Sequence, residues 1–112
     1  MWIEIDKSTE WGKTLQVKLQ KIIYAVHTQA YVDLFGVSSV TVAIATTHER
    51  RADLMRSFVQ QELQRMELPH LAHLFLFTAL PEGLLDPQEV FLSPIWYTPD
   101  NNTPVPLLDM SD

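Results

Sequence analysis

Val40-Thr41-Val42-Ala43-Ile44-Ala45 is the stretch that decides the fold. It is rich in β-branched residues, almost free of polar ones, and bounded by Ser38-Ser39 and Thr46-Thr47. A short apolar run of this kind is a strand covered on both faces, as strands of a parallel sheet are. On its N-terminal side, Leu15, Leu19, Ile22, Val26 and Ala30 recur at helical spacing, with Ile23 and Leu34 alongside, and Gly36 supplies a stop. Residues 2–7 read as a strand before that helix, with Ser8 or Thr9 as the cap and Glu10 at the positive end of its dipole. On its C-terminal side, Thr46 and Glu49 have the form of a capping box for a second helix from about His48 to Met66. Leu54, Phe58, Leu63 and Met66 are read as its core positions, with Met55 and Val59 beside them. Pro69 ends that region, and Leu74-Phe75-Leu76-Phe77 within Leu71 to Leu80 is a third apolar strand.

The predicted class is α/β: a small, mainly parallel sheet with flanking helices, in the order β-α-β-α-β. Crossovers through helices imply right-handed parallel connections. Residues 1–80 form this core. Residues 81–112 form a C-terminal extension holding six of the seven prolines, packed on the core to make a single domain. Phe91, Ile95, Trp96 and Tyr97 are its packing residues. Pro99-Asp100-Asn101 is turn chemistry, which predicts a short hairpin between Ile95–Tyr97 and Val105–Leu108.

Composition narrows the classes. At 112 residues, 46% hydrophobic and 20% charged, the chain fits one globular domain. No apolar run reaches a membrane span of roughly 18 residues, and the first residues have neither a basic nor an apolar signal-peptide region, so none is expected. Zero cysteines exclude disulfides, cysteine zinc fingers and thiol catalysis, and the expected location is cytoplasmic. A net charge of −6 predicts weak nucleic-acid binding by the isolated chain, because phosphate neutralisation supplies most of such affinity. With three glycines there is no Gly-rich phosphate loop.

The chemistry-bearing residues start with Glu4 and Asp6. Alternation puts Trp2, Glu4 and Asp6 on one face of the first strand, and Ile3 and Ile5 on the other. Paired carboxylates suit magnesium or manganese, which can activate water against a phosphodiester. From spacing alone, ordinary acids on a half-exposed strand are the commoner arrangement. Lys18, flanking the apolar stripe of the first helix, can reach toward both acids and stabilise charge on an attacked phosphate, or simply extend its head into solvent. Arg50 and Arg51 fall where the carboxyl edge of a parallel sheet opens, and ligands gather at such edges. They oppose the helix dipole there, although a solvated face is the simpler reading. His48, His70 and His73 make a zinc site only if the fold brings them together, and Pro69 argues against a helix joining the last two.

The pieces Trp2-Ile3-Glu4-Ile5-Asp6, Lys7-Ser8-Thr9-Glu10, Lys18-Leu19, Val40 to Thr46, Trp96 and Val105-Pro106-Leu107-Leu108-Asp109 together resemble the replication-relaxation family, encoded largely on bacterial plasmids and mobile elements. The resemblance implies a restriction-endonuclease-like fold of the PD-(D/E)xK type. It maps the active-strand acids and metal ligands to Glu4 and Asp6, and the catalytic lysine, moved onto the helix, to Lys18. Lys7, Lys18, Arg50 and Arg51 become the candidate nucleic-acid contacts. The family pattern includes a preceding strand with a proline-aspartate acid and a winged-helix region, and neither is found in this sequence. The expectation is therefore a nuclease-like remnant of a plasmid replication or mobilisation protein, incomplete or inactive as an isolated chain. A non-catalytic interaction module, acting through its sheet edge or C-terminal tail, is the alternative. Loss of a neighbouring strand exposes an edge, which predicts a homodimer or higher oligomer.

Overall fold

Val42–Thr46 forms the centre of the sheet, and all five residues are buried. The structure is a computed structural model that describes residues 2–6, 12–33, 41–80 and 87–107, without the side chains of residues 2, 29–33 and 87–89. In chain order the elements are β1 (Trp2–Ile5), α1 (Gly12–Asp33), β2 (Val42–Thr46), α2 (Glu49–Arg65), a 3₁₀ turn (Pro69–Leu74), β3 (Phe75–Ala79) and α3 (Pro87–Leu92). The sheet order is β1-β2-β3 and both pairings are parallel. This is the small parallel α/β architecture expected from the alternation of strand and helix patterns.

The register sets the two faces. Trp2 lies opposite Val42 and Glu4 opposite Ile44, while Ile3 lies opposite Ala43 and Ile5 opposite Ala45. Val42, Ile44, Phe75 and Phe77 share one core with Leu15, Leu19, Ile22, Ile23 and Val26 of α1 and with Met55, Val59 and Leu63 of α2. Both long helices thus pack into the same core. Ala43, Ala45 and Leu76 form a second core with Trp96 and Leu107 from the C-terminal segment. Trp96 is 1% exposed and donates from Nε1 to the Val90 carbonyl at 2.8 Å, so a large side chain is buried without an orphaned donor.

The C-terminal segment also extends the sheet. Phe77 and Tyr97 make an antiparallel bridge, as do Trp96 and Val105, which belong to the two segments expected to pair as a hairpin. Arg56 fastens this segment to α2. It donates to the Thr98 carbonyl at 3.1 Å, the Asn101 carbonyl at 2.8 Å and Asn102 Oδ1 at 3.1 Å, and its guanidinium lies 5.0 Å from the Tyr97 ring centre.

Several details depart from the sequence reading. The buried stripe of α2 is Ala52, Met55, Val59 and Leu63, whereas Leu54 is 49% exposed and Phe58 and Met66 are only partly buried. The stripe rotates because the i, i+4 ridge of 55, 59 and 63 is the one that meets β2 and β3. The capping box does not form. His48 occupies the N-cap with no side-chain bond, because Thr46 is still the last residue of β2 and its hydroxyl points elsewhere. Residues 69–74 form a 3₁₀ turn before the strand, in which His73 Nδ1 meets the His70 carbonyl at 2.9 Å. Lys7, Ser8, Thr9, Glu10, Gly36, Val40 and Leu108 lie outside the described residues.

The end of α2 stores a small strain. Leu68 N–H bonds the Leu63 carbonyl at 2.7 Å and Glu67 N–H the Gln64 carbonyl at 3.1 Å, the Schellman arrangement. It requires a left-handed residue, and Glu67 has φ 60°. Glu67→Gly is expected to stabilise the protein by about 1 kcal/mol, seen as a higher urea midpoint at unchanged slope. Nearby, hydrogen bonds from Arg65 hold the Glu62 carboxyl below its ordinary value, opposed in part by desolvation, and Gln20 of α1 adds a 3.4 Å contact. A depressed carboxylate stabilises the fold above its unfolded pKa and loses that contribution as pH falls through its folded value. Glu62→Gln should therefore lower stability slightly at pH 7 and flatten the acid limb of a pH titration, the effect being small because the pair is solvated.

Candidate functional site

The carboxyl ends of β1 and β2 meet the first turn of α2, and Asp6, just past β1, turns its carboxylate into this junction. The Asp6 N–H continues the ladder by bonding the Ala45 carbonyl at 2.7 Å, which fixes its side chain on the helix-covered face beside Thr46. Asp6 is 5% exposed and Arg51 is 2% exposed. The guanidinium grips the carboxylate with two donors, Nε to Oδ2 and Nη2 to Oδ1, the second at 2.9 Å. The Thr46 hydroxyl donates to Oδ2 at 2.9 Å. A bidentate, hydrogen-bonded pair of this kind compensates the cost of removing both charges from water.

Glu4 lies one strand repeat earlier on the same face and is only partly buried. Lys18 Nζ approaches its Oε2 at 3.9 Å, with the two side chains 33% and 29% exposed. The expected reach of Lys18 from α1 toward the strand is thus present at Glu4, whereas Asp6 is held by Arg51. Arg51, read from sequence as part of a solvated face, is a buried structural cation. Arg50 is exposed and lines a hollow with Thr47, His48 and Glu49, separate from the groove that Lys18 and Glu4 line. Lys7 lies outside the described residues.

This donor set does not fit a magnesium or manganese ion. Both Asp6 oxygens already accept charge-assisted bonds, and a cation there would stand against a guanidinium, with Coulomb repulsion undiminished by solvent. Among the described residues no group of three or more His, Asp or Glu side chains is placed to hold a metal ion, and His70 and His73 are both exposed. No family, no curated protein and no solved structure matches the chain.

Sequence reasoning missed Thr46 and the inward turn of Arg51. The signal was indirect: the register that sets Glu4 opposite Ile44 also brings Asp6 level with Thr46, but register is a property of the paired strands. Arg56, the tie to the C-terminal segment, carried no distinguishing mark among the other arginines. Removing one member of the buried pair strands the other. Asp6→Asn and Arg51→Met are each expected to cost about 3–5 kcal/mol in urea unfolding, while Asp6→Leu/Arg51→Met recovers most of that loss.

Proposed function

We propose that this chain is a nuclease-like domain of a plasmid replication or mobilisation protein that works by association and does not hydrolyse DNA. The reading starts from the resemblance to the replication-relaxation family. It is supported by the strand-helix unit, in which Lys18 of α1 stands beside Glu4 of β1. The restriction-endonuclease-like assignment within the parallel α/β class rests on that same resemblance.

One observation carries the absence of catalysis: the Asp6 carboxylate is buried and bonded through both oxygens to Arg51, with Thr46 as a further donor. Hydrolysis through a metal would require Asp6 to abandon a buried bidentate pair, at a cost of about 3–5 kcal/mol before any ion is bound. The acid of this strand is better placed to hold α2 against the sheet than to ligate a cation. A net charge of −6 also leaves little field to attract a phosphate backbone to the chain as a whole.

Calorimetric titration with magnesium or manganese chloride is expected to show no saturable binding, with the same flat trace for Glu4→Ala. Supercoiled plasmid incubated with the protein and magnesium should remain intact. Metal-dependent nicking that disappears in both Glu4→Ala and Lys18→Ala would overturn the silent-domain reading.

A further inference from the structure

Among the described residues β1 pairs on one side only, with β2, while the far side of β3 is bridged by Tyr97. The outward face of this edge strand carries Ile3 and Ile5, 50% and 63% exposed. The opposite face opens into a groove of about 630 Å³ between β1 and α1, lined by Glu4, Lys13, Val17, Lys18 and Lys21. From residue 12 to residue 32, α1 carries three lysines and no acidic residue, in a chain with 14 acids against 8 basic residues. Lys13 and Lys21 are exposed, and Lys13 stands in the first turn of α1, where a cation opposes the helix dipole. Helix stability does not explain a lysine there.

We propose that this edge captures an extended acidic peptide segment as an added strand. Side chains of an added strand alternate between the two faces. Those on the helix side would meet Lys13 and Lys21, and those on the other side would lie beside Ile3 and Ile5. The occupant that matches both faces alternates acidic and apolar residues, with main-chain bonds to β1 supplying affinity and the two faces supplying selection. A second copy of this chain matches less well, because pairing two β1 edges brings two sets of the same lysines to one seam. A nucleic acid has neither a peptide backbone for the open ladder nor a surface for the two isoleucines. The inference deepens the association reading by giving the partner its chemistry.

The test uses a short fluorescein-labelled peptide of alternating valine and glutamate, titrated with the whole chain by anisotropy without divalent cations. Saturable binding is expected, weakening with salt and falling about tenfold or more for Lys13→Glu/Lys21→Glu. Ile3→Thr/Ile5→Thr should weaken it as well, with circular dichroism confirming that each variant is folded. A peptide N-methylated at alternate amides should bind only when the methylated amides face away from β1. The proposal is overturned by no binding, by binding insensitive to the lysine changes, or by equal affinity for a valine-lysine peptide. It is also overturned if a DNA duplex displaces the peptide, or if sedimentation shows a dimer that excludes it. Failure here with plasmid left intact would remove the peptide partner alone, whereas metal-dependent nicking would remove the silent-domain reading.

Discussion

The carboxyl edge of the sheet is organised by one buried contact, the grip of Arg51 on Asp6. It joins the end of β1 to the first turn of α2 and, through Thr46, to the end of β2. Two consecutive elements, β2 and α2, and the end of β1, whose Asp6 is 40 and 45 positions from Thr46 and Arg51, are thereby fixed at the carboxyl edge of the sheet. An ion pair in this position is specified by geometry, because its desolvation is repaid only when all the donors are in place. It also explains a local oddity of α2. An arginine in a helix's first turn works against the dipole, and here its charge is neutralised by a carboxylate supplied from the neighbouring strand.

That contact decides what the acid-bearing strand does. Glu4 and Asp6 share a face and a spacing, yet their surroundings give them different roles. Glu4 stays partly solvated next to Lys18, at the wall of a groove. Asp6 is withdrawn from solvent by a guanidinium. A pair of carboxylates acts as one ligand set only when both keep free lone pairs toward the same space, and this pair is divided between two environments. Chemistry and architecture compete for the same side chain, and here the architecture holds it.

The two faces of the sheet are covered unequally, which leaves the molecule asymmetric. α1 and α2 seal one face with a continuous apolar core. The C-terminal segment seals the other over β2 and β3 but leaves Ile3 and Ile5 of β1 exposed. The β3 edge is occupied by the antiparallel Tyr97 bridge, and Arg56 secures that return by capping three groups of the loop at Thr98, Asn101 and Asn102. Two exposed apolar side chains, Ile3 and Ile5, thus sit side by side at the β1 edge, beside a groove lined by lysines of α1 that limits indiscriminate pairing.

The sequence by itself determined the class of fold. The apolar run ending in Ala45, the helical recurrence from Leu15 to Val26 and the apolar Phe75-Leu76-Phe77 each carry a period that local backbone geometry enforces, and so β-α-β-α-β was legible. It also placed Lys18 at the flank of the apolar stripe of α1, since helical spacing sets which residues share a face, but its approach to Glu4 is seen only in the folded structure. Tertiary structure alone decided the site. Whether Thr46 caps a helix or bonds Asp6, and whether Arg51 faces water or the sheet, depends on register and on the rotation of α2 over the strands. Those are collective outcomes of packing, in which the stripe of Met55, Val59 and Leu63 prevailed over that of Leu54 and Phe58. A periodicity says which residues of an element share a face, but only the assembled core says which charges meet behind it.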